Sequence, residues 1–381
     1  MAVMVEQEEL LWLALRLTPQ LGAKRAVSLV ERLGSPAAIF QMEAWELEGL
    51  GILPSVARSI EAGSAMDEAI DQQRLLRATG TEIVTFLDPR YPPLLRTIFD
   101  PPLLLFARGD LSLLEEPAIA VVGTRRPSPY GQAVADRFAR DLAAAGLVIV
   151  SGMARGIDTT AHRAALAVEG KTIAVLGCGA DIVYPAENKQ LAAQIARDGL
   201  ILSEYPLRTP AYPQNFPVRN RIVSGLSHGV LIVEGAQYSG SSITARLALD
   251  QGREVFAVPG NVTSKQSWGP NLLIRQGARL VQEASDVLCD LPLDVRQRLR
   301  EIGPQRHLVE QPDLDHPMSQ LRAKVLKALK VDDSLGVDDL LPILNASGMV
   351  SASELIATLF DLELEGLIRQ VAGKRYIRNW N

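Results

Sequence analysis

The spacing of apolar residues changes character twice along the chain. Over residues 1–80 they recur at helical intervals, broken by Gly-containing turns, as in "LTPQLGAKRAVSLVERLGS" and "LEGLGILPSVARSIEAG". Each turn precedes an amphipathic stretch, which predicts a small helical domain of SAM or helix-hairpin-helix type. Such hairpins can offer backbone N–H groups to a phosphate, or they can serve only to pack or dimerise.

Over residues 81–290 the period shortens. The β-branched runs "AIAVVG", "LVIVSG", "TIAVLGCG", "LILSEYP", "GVLIVEG" and "EVFAVPG" alternate with helical segments. Apolar strands of this length separated by helices predict a doubly wound, Rossmann-like parallel sheet covered on both faces, an α/β fold. The lead-in "IVTFLDPRYPPLLRTIFDPPLLLFARGD" adds a strand or two. Residues 291–318, polar and broken by prolines, read as a linker. Residues 319–381 give three helices and then a hairpin around Gly373, the order of a winged-helix domain.

Charge redistributes interest among these segments. The net charge of −5 speaks against a polyanion partner, but residues 1–116 carry 10 Lys and Arg against 17 Asp and Glu. Residues 117–290 carry 17 against 14, a local excess of +3 in the segment that also holds the glycine loops. Local field decides where a polyanion sits. The third helix of the tail, residues 351–366, has Glu354, Asp361, Glu363 and Glu365 and no Lys or Arg. An anionic helix repels phosphates, so the tail is expected to contact protein, although its wing carries Lys374, Arg375 and Arg378.

No apolar run reaches the roughly 18–20 residues that span a bilayer. The opening "MAVMVEQEELL" has acids where a signal peptide carries Lys or Arg, and Cys178 and Cys289 are too few for a disulfide framework. The expectation is a reduced cytoplasm.

In a doubly wound sheet, ligands bind beyond the carboxyl ends of the strands. The loops there are "GTRRPSPYG", "SGMARGID", "GCGADIVYPAENK", "EYPLRTPAYPQNFPVRNR", "EGAQYSGSS" and "PGN". Gly123, Gly152, Gly177, Gly179 and Gly240 admit close backbone approach, and each loop leads into a helix N-terminus. Together with Arg125, Arg126, Arg155, Lys189, Arg219 and Arg221 they suggest a ligand with several phosphates in a row. There is neither a G-x-G-x-x-G nor a G-K-[ST], so no dinucleotide or ATP cofactor is expected.

Catalytic groups are equally hard to assemble. Ser239, Ser241 and Ser242 lack a G-x-S-x-G elbow, and Cys178 has no His in a pairing context. Asp158 and His162 share a helix face; no second cluster completes a metal site, which favours a structural hydrogen bond between them. Glu234 stands at a strand end, where it can cap the next helix, orient Arg221 or act as a base. If the segment around Arg219 and Arg221 is extended, both aim at one side, as successive phosphates require. If it is helical they diverge, and Arg221 braces Glu234. Phe216 offers a ring for base stacking, Asn220 suits a base edge, and Ser239, Gly240 and Ser241 supply donors for a phosphate.

"SGMARGIDTTAH" (151–162), "TIAVLGCGADIVYPAENKQL" (172–191), "LSEYP", "FPVRNRIVSGLSHGVLIVEG" and "SGSSITA" closely resemble the DNA processing protein A family, DprA/Smf. The resemblance implies a cytoplasmic bacterial protein that binds and protects single-stranded DNA and self-associates as a homodimer through the Rossmann domain. It also implies a helper that loads RecA during natural transformation, without cofactor or catalysis. Carried onto this chain, the DNA site falls on Arg125, Ser151, Gly152, Asn188, Lys189, Asn215, Phe216, Arg219, Asn220 and Arg221. The rival is a related Rossmann enzyme that cleaves riboside monophosphates through a P-G-G-x-G-T-x-x-E loop. "EGAQYSGSSITARLA" lacks that pattern and its second glutamate.

Overall fold

The structure is a computed structural model and describes residues 2–237, 239–299, 317–330, 333–345, 350–364, 366–371 and 373–378. Its centre is a nine-stranded sheet. In chain order the strands are β1 (Glu82–Thr85), β2 (Leu104–Gly109), β3 (Ala118–Val122), β4 (Val148–Ser151), β5 (Thr172–Leu176), β6 (Leu200–Ser203), β7 (Gly229–Ile232), β8 (Glu254–Ala257) and β9 (Arg279–Leu280). They lie side by side as β1-β2-β6-β5-β4-β3-β7-β8-β9.

Strands β3 to β8 are the six apolar runs of the sequence, and all pairings from β6 across to β9 are parallel. Every residue of β3 and β5 is buried, as a sheet covered on both faces requires. Alternation divides β3 between two cores. Ile119 and Val121 pack with Phe138 and Leu142 of the helix Pro129–Ala144, while Ala120 and Val122 join the cluster on the other face. The lead-in supplies two strands, β1 and β2, which run antiparallel and extend the sheet beyond β6.

The segment before β1 is helical as expected: Ala2–Leu17, Ala23–Leu33, Pro36–Phe40, Ala44–Gly49, Pro54–Glu61 and Met66–Thr79. Gly34 stops the second helix in the left-handed region (φ 81°), its N–H returning to the Val30 carbonyl. Trp12, Leu13, Ile39 and Ile60 belong to the same hydrophobic cluster as Leu104 and Phe106 of β2, so one core runs from these helices into the sheet.

The expected linker begins as structure. Leu293–Arg298 is a helix whose Val295 joins the same core as Leu291 and Phe138. Residues 300–316 of that linker lie outside the described residues. The tail contains the helices Pro317–Ala328, Val337–Asn345 and Ala352–Leu364 and the strands β10 (Leu335–Gly336), β11 (Ile368–Val371) and β12 (Arg375–Arg378). β11 and β12 form the anticipated antiparallel hairpin, with Gly373 at φ 87° in its turn. β10 pairs with β12 and was not foreseen. Val325, Leu340, Leu355 and Leu359 make this segment's own core. Among the described residues no helix is long and apolar enough to cross a membrane.

Candidate nucleic-acid interface

From β3 the chain steps outward through β4, β5 and β6 on one side, then crosses back to place β7 on the other side of β3. A cleft of about 530 Å³ opens above this divergence, at the switch point where doubly wound sheets bind ligands. Its walls come from the loops after β3, β4 and β7, from Gln266 beyond β8, and from the helix Asn215–Gly225. The helix Gly240–Asp250 presents its N-terminus there, with Ser239, Gly240 and Ser241 on the lining. That end carries partial positive charge suited to an anion.

The segment with the two arginines is helical, and the two side chains diverge accordingly. Arg219 lines the cleft but is only 4% exposed. Its Nη1 donates to the Val175 carbonyl, and its Nε finds no hydrogen-bond partner among the described residues. Burial pulls this guanidinium below its ordinary pKa, and Asp158 opposes the shift. Arg221 does not line the cleft and does not brace Glu234. Its Nη2 donates to Glu204 Oε1 at 2.8 Å and its Nε to Asp100 Oδ2 at 3.3 Å. Burial opposes its charge, yet the two carboxylates hold its pKa above the ordinary value.

Phe216 stands at the cleft wall with Tyr184 beside it, ring centroids 5.3 Å apart. The Arg125 guanidinium lies 5.8 Å from the Phe216 centroid. Arg125 is exposed, so charge and ring together face the opening. Asn220 reaches across towards the Gly240 carbonyl at 3.5 Å, spanning the two helices of the cleft. Sequence reasoning missed Tyr184 and Gln266; both lie on strand-end loops, the first in "YP" after β5, the second in the stretch after "PGN".

Several expected contact residues instead hold the loops in shape. Ser151 is fully buried, its hydroxyl donating to the Val121 carbonyl at 2.7 Å. Asn188 donates to the Met153 carbonyl at 3.0 Å and to Thr159 Oγ1 at 2.8 Å, and Asn215 to the Gly177 carbonyl at 3.0 Å. These side chains have their polar atoms engaged inside the protein because the loops they cross-link have no ladder partners of their own. Lys189 is exposed but not on the cleft lining, and Gly177 backs the Phe216 ring. Arg155, also on the rim, forms a two-point pair with Glu187 at 2.6 and 2.8 Å.

Asp158, His162, Cys178 and Glu234 are each engaged by bonds inside the protein. Asp158 does not bond to His162. Its Oδ2 accepts from the backbone N–H of Gly152 at 3.1 Å and of Ala154 at 3.3 Å, and burial raises its pKa against the pull of Arg219. His162 turns instead to Thr172 Oγ1 at 2.6 Å. Burial raises the Cys178 thiol to about 11, and its Sγ donates to the Ile182 carbonyl, so it is no thiolate at neutral pH. Glu234 is 2% exposed; its two oxygens accept from Ser128 N (2.9 Å) and Ser128 Oγ (2.5 Å), fixing the cap of the helix after β3 rather than of the helix after its own strand.

DNA processing protein DprA of Bacillus subtilis is 42% identical over 250 residues, covering 63% of this chain and 84% of that one. Protein Smf of Escherichia coli is 42% identical over 289 residues, covering 76% and 75%. The crystal structure of DNA processing protein A from Streptococcus pneumoniae matches with a TM-score of 0.57 at 39% identity, over 66% of this chain and 92% of that one. A structure of the Helicobacter pylori protein, described for its single-stranded DNA binding mode, matches with a TM-score of 0.51 at 35% identity, over 56% and 97%. The family model described as DNA recombination-mediator protein A matches residues 82–292, from the first strand of the sheet to just past its last, and the chain belongs to that family.

Proposed function

We propose that the chain binds single-stranded DNA in the switch-point cleft and acts, without catalysis, as a recombination mediator. The observation that carries this is the exposed Arg125 guanidinium over the Phe216 ring, beside the N-terminus of the helix Gly240–Asp250. A ring stacks on any base and a helix N-terminus receives any phosphate, so the site suits a flexible strand without regard to sequence. The Helicobacter pylori neighbour, described as binding single-stranded DNA, supports the same reading.

Contacts are assigned to Arg125, Phe216, Asn220, Ser239, Gly240 and the Arg219 guanidinium edge, with Gly152, Ser151, Asn188 and Asn215 shaping the loops. The family's description as a recombination mediator supports the mediator role; with it go, as part of the proposal, protection of incoming strands, placement of RecA on them, a cytoplasmic setting and a homodimer formed through the sheet domain. Residues 319–381 act as a winged-helix unit that contacts protein, since their third helix has no cation.

Titration of a labelled oligothymidine against the full chain tests the central point. Arg125→Ala is expected to weaken binding by about 1–2 kcal/mol while the melting temperature stays within a degree or two, because an exposed side chain contributes little to folding. Loss of stability in parallel with binding, or no loss of binding, would place the DNA elsewhere.

A further inference from the structure

The helix Asn215–Gly225 carries Phe216, Arg219 and Asn220 into the cleft, and its Arg221 and Asn215 bond to residues 204 and 205 after β6. Two bonds seat it there. The Arg221 guanidinium pairs with Glu204 at 2.8 Å, and the Tyr205 hydroxyl donates to the Asn215 carbonyl at 3.4 Å. The Arg221 carbonyl also accepts from Gln251 Nε2 at 3.0 Å. Gln251 caps the far end of the helix Gly240–Asp250, so Arg221 ties both helices of the cleft to one another.

Residues 204–207 are held in turn from the N-terminal helices. Arg16 Nη2 donates to the Glu204 carbonyl at 3.1 Å. Gln72 closes a two-way bond with Leu207: its Nε2 donates to the Leu207 carbonyl at 3.2 Å, and its Oε1 accepts from the Leu207 N–H at 2.9 Å. Gln72 is 7% exposed, an amide buried on a helix that otherwise faces the core with Ala69 and Leu76. A buried amide is retained at a helix–loop contact when both its hydrogen bonds are made there.

We propose that Arg221 is a positioning residue for the cleft, and that Gln72 and Arg16 make the N-terminal helices part of the same framework. The chain of contacts is continuous: Gln72 and Arg16 fix residues 204–207, those fix the helix Asn215–Gly225, and that helix aims Phe216, Arg219 and Asn220. Coupling of this kind is reciprocal. A strand in the cleft steadies the helix Met66–Thr79, and a partner that disturbs that helix lowers affinity for the strand. This rests on the cleft being the DNA site; the framework itself is measurable without DNA.

The experiment compares Gln72→Leu with Gln73→Leu; the Gln73 side chain donates to the Glu6 carbonyl, within the N-terminal helices. In the DNA-free protein, Gln72→Leu is expected to speed amide hydrogen exchange across residues 215–225 while Gln73→Leu does not. With a labelled oligothymidine, Gln72→Leu binds about fivefold more weakly, the equivalent of one buried hydrogen bond. Arg221→Met is expected to bind at least about tenfold more weakly, because it strands a buried carboxylate, and adding Glu204→Gln restores part of the loss. A phosphate-contacting Arg221 predicts no such recovery. Equal exchange in the two Gln variants overturns the framework. Should the wild-type chain fail to hold oligothymidine, the DNA reading falls and the exchange result still decides the framework. If Arg221→Met does not fold, Gln72→Leu carries the test alone.

Discussion

Arg219 and Gly152 share one volume: the guanidinium occupies the space a β-carbon would fill on Gly152. Gly152 also gives its N–H to Asp158, so the loop after β4 wraps the arginine from two directions. Gly152→Ala is therefore expected to displace Arg219 into the cleft or away from the Val175 carbonyl. Overpacking at such a site costs about 1–3 kcal/mol, and oligothymidine affinity should fall with it. Denaturant melts and titrations of the same samples check both; an unchanged melting curve would mean that Arg219 does not sit as described.

His162 makes a second stability prediction, in which pH is the variable. Thr172 Oγ1 donates to the Ile149 carbonyl, so it accepts from His162 Nδ1–H, and Nε2 has no partner among the described residues. Burial, with Arg219 nearby, lowers the His162 pKa to about 3. The unfolded chain takes up this proton near pH 6.5 and the folded chain does not. The contribution is thus complete above pH 6.5 and is lost as pH falls from there towards 3. Between pH 7 and pH 5 the loss is about 2 kcal/mol. Unfolding free energies of wild type and His162→Asn at the two pH values should differ in slope by that amount. Parallel slopes would show that the imidazole is already charged in the folded state.

How far the sequence reveals this site depends on the range of the interaction. The six parallel strands were legible because burial on both faces forces uninterrupted β-branched runs, as in Ala118–Val122. The switch point followed from strand alternation, Arg125 was expected at the cleft from its loop after β3, and Phe216 from the segment after β6, whose helix carries it there. Partners distant in sequence were not legible. Nothing near Glu234 announces Ser128, 106 positions earlier, and nothing near Arg221 announces Asp100, 121 positions earlier. The divergence of Arg219 and Arg221 turned on one local choice, helix over strand, and "FPVRNRIVSG" has too weak a periodicity to reveal it. Asn188 and Asn215 were expected at the DNA site from the family resemblance alone; their side chains brace loops, and residue type does not separate an amide that braces a loop from one that meets a base.

The Ser128–Glu234 pair separates a structural carboxylate from a catalytic one. Ser128 Oγ accepts from the Gly131 N–H at 3.1 Å while donating to Glu234, so Ser128→Ala removes a helix cap and a charge-assisted bond together. A loss of about 2–3 kcal/mol in stability is expected. Glu234→Gln keeps the shape and should cost less, about 1–2 kcal/mol, with DNA affinity near wild type. Incubating wild type and Glu234→Gln with nucleoside monophosphates and assaying free base tests the enzymatic alternative. A turnover in wild type that Glu234→Gln abolishes would make Glu234 the base of a hydrolase.

The response to salt and to truncation locates the DNA surface within the chain. Arg125, Arg126 and the amide-rich ends of two or three helices around the cleft should engage roughly 2–4 phosphates, giving log K against log salt a slope of about −1.5 to −3. Arg221, paired with Glu204 and Asp100, is not counted, and Arg155 is offset by Glu187. Arg125→Ala should make the slope shallower by about 0.7, one phosphate's worth on a single strand. Duplex DNA should compete poorly, because a cleft of about 530 Å³ takes one unstacked nucleotide unit and not a paired helix. Removing residues 317–381 should leave the slope, the single-strand preference and the affinity within about threefold. The tail has its own core, and its helix Ala352–Leu364 has three carboxylates and no cation to meet a phosphate. Titrations of full-length and truncated chain at several salt concentrations, against oligothymidine and a duplex of equal length, read all of these together. A truncated chain with a markedly shallower slope would assign phosphate contacts to the β11–β12 hairpin, where Lys374, Arg375 and Arg378 lie, and the cleft would then be only part of the surface.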